Sequence, residues 1–172
     1  VTVQPHDRVT TLETLREAPL HVVLVEPEIP PNTGNVARLC AATGCALHLV
    51  HPLGFRIDDR ELKRAGLDYW RQVNVVEHSS LDVFLQATAS NARWFFSTRA
   101  RRVFSEAPFS RGDFLIFGKE TKGLPEDLLA RHPDRALRIP MRDEAVRSIN
   151  LSTAAGIATY VALERLGFPG MR

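Results

Sequence analysis

Three stretches of the sequence carry polar side chains of the kinds that bind anions and transfer groups. The first is Glu26-Pro27-Glu28-Ile29-Pro30-Pro31-Asn32-Thr33-Gly34-Asn35-Val36-Ala37-Arg38. Its prolines stiffen the exit from an apolar run, and Asn32 or Thr33 can cap a helix that begins near Gly34, with Arg38 in its first turns. Asn32, Asn35 and Arg38 then project near one helix N-terminus, where backbone N–H groups favour anions. A plain N-cap followed by a surface arginine fits the same residues.

The second stretch is Phe117-Gly118-Lys119-Glu120-Thr121-Lys122-Gly123-Leu124-Pro125. Gly118 lets the backbone approach a ligand, Gly123 can take positive φ, and Pro125 suits the first position of a helix. It is not a P-loop: no glycine stands five residues before Gly118, and Glu follows the lysine. A structural turn would account for both glycines but not for the charged tip. In the third stretch, Arg138 to Ser152, a strand ends in Pro140. Ser148, Asn150 and Ser152 then crowd the start of a helix that needs one of them as a cap, so two polar side chains ask for another purpose.

Other chemistries lack their residues. The sequence has no G-x-G-x-x-G after a strand, no H-E-x-x-H and no G-x-S-x-G, which counts against dinucleotide oxidoreductases, zinc hydrolases and serine esterases. Cys40 and Cys45 make neither a disulfide framework nor a zinc pair and read as packed, reduced thiols. No metal site is expected.

The elements that must position these loops follow from periodicity. Strands are expected at 21–26, 46–51, 73–78, 93–98, 113–118 and 135–140, and helices near 34–43, 58–65, 81–89, 125–131 and 150–166. This alternation predicts an α/β fold, a mostly parallel sheet with helices on both faces and ligands at the carboxyl ends of the strands. Residues 1–19 lack an apolar period and read as a tail or short appended helix; 20–172 read as one domain. Ala154, Ala155, Gly156 and Ala158 give the last helix a small-residue face suited to close packing.

With 172 residues, 44% hydrophobic and 24% charged, the chain has the proportions of one globular domain that can bury its own core. Its longest apolar stretch is too short for a bilayer, and its start does not read as a signal peptide, so a cytoplasmic location without membrane association is expected. The net charge is only +2, yet 19 of the 22 basic residues are Arg against Lys63, Lys119 and Lys122. Guanidinium groups suit phosphate, although a GC-rich genome leaves the same bias.

Taken together, the three stretches resemble the signature motifs of the SPOUT RNA methyltransferases, in order: N-x-x-x-x-x-R (Asn32 to Arg38), F-G-x-E-x-x-G-L-P (Phe117 to Pro125) and S-x-N-L-S (Ser148 to Ser152). The likeness is greatest to the small tRNA (cytidine/uridine) ribose 2′-O-methyltransferases that modify the wobble nucleotide of leucine tRNAs. Glu26 to Asn35, His51 to Phe55, Arg64 to Tyr69 and Arg138 to Met141 all look like that subgroup, and the likeness runs from about Leu20 to Gly170. Lys119, where many relatives carry Pro or a small residue, and Ile149 depart from the pattern.

The resemblance implies a C-terminal deep trefoil knot, a homodimer packed through the first and last helices, S-adenosylmethionine as cofactor and the anticodon stem-loop of tRNA as partner. It implies that Ser97, Gly118, Ile139, Ser148 and Asn150 hold the cofactor, that Arg38 clamps phosphate and stabilises charge, with general base as the family's other role for it, that Glu120 orients Arg38 or the ribose, and that Asn32 holds Arg38 in place. Arg56, Arg60, Arg64, Arg71, Arg99, Arg101, Arg102, Arg142 and Arg147 are then candidates for gripping RNA. Tyr69 or Trp70 would stack on the base or belong to the core. Rival readings are another tRNA or rRNA position, or a non-catalytic RNA-binding protein of the same fold.

Overall fold

The computed structural model describes residues 12–57, 70, 72–142 and 146–172. Arg60, Arg64, Tyr69, Arg71 and the helix expected at 58–65 lie outside them. Among the described residues seven strands form one sheet: β1 (Leu20–Val25), β2 (Ala46–Val50), β3 (Val75–His78), β4 (Arg93–Phe96), β5 (Arg102–Val103), β6 (Asp113–Phe117) and β7 (Ala136–Arg138). Their order is β3-β2-β1-β6-β4-β7-β5 and every pairing is parallel. The α-helices with described bounds are α1 (Leu12–Glu17), α2 (Pro30–Thr43), α3 (Leu81–Ala87), α4 (Glu126–Arg131) and α5 (Leu151–Arg165).

The central strands are buried on both faces because both faces are covered, and apolar there apart from the buried His21 of β1 and His48 of β2. Leu20, Val22 and Leu24 join Leu47, Leu49, Leu115 and Phe117 against residues of α2 and α5. Val23 and Val25 join Ile116, Phe95 and Phe114 against Phe84 of α3 and Leu128 of α4. This period-two division sets helices on both sides of the sheet.

Two expectations need correcting. The sequence reading omitted β5, a two-residue, half-exposed strand beside β7. It also started α2 four residues late. The helix opens at Pro30, its N-cap is Ile29, and no side chain of that residue caps it. Proline suits the first turn because it has no N–H to leave unpaired, and neither Asn32 nor Thr33 is the cap. At the other end, α5 begins as expected, with Asn150 accepting from the backbone N–H groups of Ser152 and Thr153. The early helix α1 is tied to the sheet end, since Arg111 bonds the Glu17 carbonyl at 2.5 Å and Gly112 N–H bonds that of Pro19 at 2.8 Å.

Candidate active site

The loops leaving β1, β4, β6 and β7 meet the start of α5 around a cavity of about 480 Å³, within the usual range for small-molecule sites. Ser97, Gly118, Ile139, Ser148 and Asn150 all line it, as do Asn32 and Glu120. Phe96, Phe117, Leu124 and Ala154 give it apolar walls, and Arg99, Lys122 and Arg147 add positive charge.

Two long-range clasps join the first and second loops. Glu26 takes Lys119 in an ion pair at 2.5 Å, and Glu28 accepts from the Thr121 hydroxyl at 2.8 Å and its N–H at 3.1 Å. The Thr121 hydroxyl holds the Glu28 carboxyl below its ordinary range, and Glu26 raises the Lys119 ammonium. Glu120 reaches the other way and accepts from Glu28 N–H at 2.7 Å, Ile29 N–H at 3.1 Å and Asn32 Nδ2 at 3.0 Å. The acceptor at the start of α2 therefore comes from another loop. Asn32, freed from capping and only 4% exposed, also accepts from Asn150 Nδ2 at 2.9 Å. All three motif loops thus share one hydrogen-bond chain.

Gly118 is required for a different reason from the one expected. A Cβ there would lie 2.0 Å from the Gly123 carbonyl carbon and 2.2 Å from Leu124 N. The loop crosses itself at this point and closes through Gly123 N–H on the Lys119 carbonyl at 2.8 Å, so the glycine makes room for its own backbone. Gly123 takes φ +69°, as expected.

Arg38 is exposed on α2 and is not among the residues lining the cavity. With α2 starting at Pro30, Arg38 lies beyond the second turn, further from the helix start than expected. Of the RNA candidates, Arg99 pairs with Glu126, while Arg101, Arg142 and Arg147 are exposed. Arg102 is committed elsewhere: its guanidinium bonds the Asp134 and Glu106 carbonyls and stands 5.7 Å over the Trp94 ring. Trp70 is 2% exposed and belongs to the core, not to a stacking platform. Cys40 and Cys45 are free and buried, and burial raises both thiols, Cys45 to about 11. Among the described residues, no group of three or more His, Cys, Asp or Glu is placed to hold a metal ion, and no helix is long and apolar enough to cross a membrane.

The sequence reading missed Glu26 and Glu28 as anchors of the second loop; their alternation on either side of Pro27 was the available signal. It also missed the apolar cavity walls Phe96 and Leu124, which look like any core residue.

The tRNA (cytidine(34)-2′-O)-methyltransferase of Saccharophagus degradans is 48% identical over 153 residues, covering 88% of this chain and 99% of that protein. A solved structure described as "Structural insights into the 2-OH methylation of C/U34 on tRNA" matches with a TM-score of 0.81 at 50% identity, over 86% of this chain and 96% of the other. The SpoU methyltransferase AviRb of Streptomyces viridochromogenes, solved in complex with AdoMet, shares the fold with a TM-score of 0.77 at 21% identity, over 96% of this chain and 64% of that one. Residues 19–160 match the family described as SpoU rRNA Methylase, and with that match covering most of a chain whose three motif loops converge on one cavity, the protein belongs to the SpoU methylase family.

Proposed function

We propose that this protein transfers a methyl group from S-adenosylmethionine to the ribose 2′-oxygen of the wobble cytidine or uridine of tRNA, with leucine isoacceptors as substrates. The observation that carries this reading is the convergence of Asn32, Glu120, Ser148 and Asn150, from three separate loops, on one cavity. The relative from Saccharophagus degradans supports the choice of nucleotide. The cavity fits the cofactor: it has the right size, apolar walls for a purine, and the polar groups of Ser97, Ser148 and Asn150 at its edge. S-adenosylmethionine supplies the reactive methyl group when bound.

The chain's own residues then do the positioning. Ser97, Gly118, Ile139, Ser148 and Asn150 would hold the cofactor against the cavity walls, and orientation alone would remove much of the barrier. Arg38 clamps the phosphate beside the target ribose and stabilises the charge growing on the 2′-oxygen; a guanidinium stays protonated and suits that electrostatic role better than that of a base. Arg99 and Arg147 at the cavity and the exposed Arg101 and Arg142 grip the anticodon stem-loop through phosphates.

The same reading includes a trefoil knot at the C-terminal segment and a homodimer packed through α2 and α5. Ile157 and Tyr160, 37% and 44% exposed and three residues apart on α5, offer an apolar face for a second copy. Light scattering at micromolar concentration is expected to give a dimer mass. The decisive experiment incubates tRNA with the protein and labelled S-adenosylmethionine in excess EDTA and maps the modified nucleoside by mass. A 2′-O-methyl group at the wobble position is expected, and label elsewhere or none overturns the assignment. Arg38→Ala is expected to lower turnover by about 100-fold or more while S-adenosylhomocysteine affinity stays within about twofold, because Arg38 stands outside the cavity. Loss of cofactor affinity with normal turnover at saturation would make Arg38 a pocket residue.

A further inference from the structure

We infer that Glu120, Asn32 and Asn150 form a directional hydrogen-bond relay that sets the start of α2, and with it Arg38, according to the state of the cofactor loop. The inference rests on the proposed reaction and makes Glu120 and Asn32 positioning residues. Their polar atoms are spent on protein. Asn150 Oδ1 accepts from Ser152 N–H at 2.9 Å and Thr153 N–H at 3.3 Å, which fixes which way its amide faces. Its Nδ2 must then donate, and it does so to Asn32 Oδ1. That orients Asn32, whose Nδ2 donates to Glu120, and Glu120 also accepts the N–H groups of Glu28 and Ile29.

Both ends of this chain are backbone donors, at the N-termini of α5 and of α2. A run of amides between two sets of donors cannot satisfy both ends, because each amide passes on the polarity it receives. One member must be acceptor-only, and a carboxylate is the side chain that is. Glu120 fills that place. Asn150 and Glu120 both line the cavity, so a ligand that orders the 148–150 segment tightens the first link, and the last link holds the backbone from which Arg38 is hung.

Polarity, not shape, is therefore the variable to test. In Glu120→Gln the amide nitrogen faces either Asn32 Nδ2 and Ile29 N–H or Glu28 N–H, donor against donor, and a flip of Asn32 only moves the conflict to Asn150. In Asn32→Asp two carboxylates meet. In the double variant, Asn32→Asp with Glu120→Gln, the acceptor-only member has moved one place. The carboxylate now at position 32 accepts from Asn150 and from the amide nitrogen now at position 120, while the amide oxygen at position 120 accepts Glu28 N–H. Ile29 N–H, whose bond to Glu120 is exposed, turns to water.

Each single variant is expected to lower kcat by about 10- to 100-fold, with the KM for tRNA changed by less than about threefold, and the double to return within about threefold of wild type. A double variant as slow as the slower single, or Glu120→Gln at wild-type kcat, overturns the relay. Amide hydrogen exchange at Glu28 and Ile29 reads the relay without RNA. S-adenosylhomocysteine is expected to raise their protection in wild type and not in Glu120→Gln. No gain in wild type, or an equal gain in both, overturns it. If wild type leaves tRNA unmethylated, the proposed reaction fails and exchange alone decides the relay.

Discussion

Two side-chain networks cross long stretches of this chain, and they are built on opposite principles. The relay at the cavity is half-exposed, contains a carboxylate and has one direction. The other runs through the second face of the sheet, where His21 Nδ1 meets His48 Nε2 at 2.9 Å and His48 Nδ1 meets His78 Nε2 at 2.9 Å, packed between Phe114 and Phe84. All three imidazoles are buried, and burial lowers all three, His21 and His78 to about 4 and His48 well below its ordinary value, helped by its two neighbours. Neutral histidine can carry its proton on either nitrogen, so the two links of this ladder can be made in either direction. One end of it, His78 Nδ1, is buried without a hydrogen-bond partner among the described residues. A network that must fix a loop needs a defined polarity, whereas one that only fills a core needs to be neutral.

The widest separation between the two regions is expected from Gly118→Ala. The added Cβ, 2.0 Å from backbone, cannot be relieved by rotating a side chain. The loop must open, and with it the wall of the cavity. S-adenosylhomocysteine affinity is expected to fall by about 100-fold, or ~3 kcal/mol, with a smaller fall in the urea midpoint, because the shifted Leu124 belongs to the core beside Phe84 and Phe114 while the histidine contacts themselves are kept. Calorimetry beside urea unfolding checks this. Affinity within twofold of wild type would make the crossing irrelevant to the cofactor.

His48→Ala is the converse. It empties volume between Phe84 and Phe114, removes two hydrogen bonds and leaves the other imidazoles without their shared partner. A loss of ~3 kcal/mol in unfolding free energy is expected, with cofactor affinity per folded molecule unchanged. A weakened cofactor site at intact stability would mean that the two networks communicate.

The two regions also differ in how legible they were. The cavity residues could be found because ligands gather at strand ends and the motifs lie there: Ser97, Gly118 and Ile139 follow β4, β6 and β7. The start of α2 could not, because its acceptor, Glu120, stands 91 residues from Ile29, and local capping rules then pointed to Asn32. β5 is two residues long, too short for any period to register. The histidine ladder was invisible for a related reason. His48 lies opposite Val23 and His78 opposite Val50, so each histidine sits diagonally, two places on from its neighbour. Only the register of three parallel strands, separated by 27 and 30 residues of chain, makes a row of them.

Acid should separate the regions next. In the unfolded chain His21 and His78 titrate near 6.5, and in the folded protein burial holds both at about 4. Between these values the unfolded state binds more protons, so the ladder's contribution is complete above pH 6.5 and is lost as pH falls towards 4. Urea midpoints are expected to decline steadily from pH 7 to pH 5, and His48→Ala is expected to flatten that decline by letting water reach its neighbours. An unchanged midpoint from pH 7 to pH 5 would mean that the imidazoles are hydrated and the ladder is not closed.

The smallest effect is expected at the helix that covers the ladder. Ser80 caps α3 by accepting Val83 N–H at 3.2 Å, and Phe84, one residue further on, meets the His78 ring edge-on at a centroid distance of 5.1 Å. Ser80→Ala leaves that N–H to water and frays the first turn, at a cost of ~1 kcal/mol. Ser80→Asp keeps the acceptor, adds a negative charge at the positive end of the helix, and is expected to restore the stability lost. If the ladder depends on α3 as its lid, Ser80→Ala should also flatten the loss of stability between pH 7 and pH 5. Water admitted beside Phe84 eases protonation of His78 in the folded state, which brings its folded titration closer to the unfolded one and shrinks the proton difference that drives the loss. S-adenosylhomocysteine affinity should not move in either variant, since α3 contributes no residue to the cavity. A parallel downward shift at every pH would instead assign α3 to general packing, with the ladder sealed by the sheet and Phe114 alone.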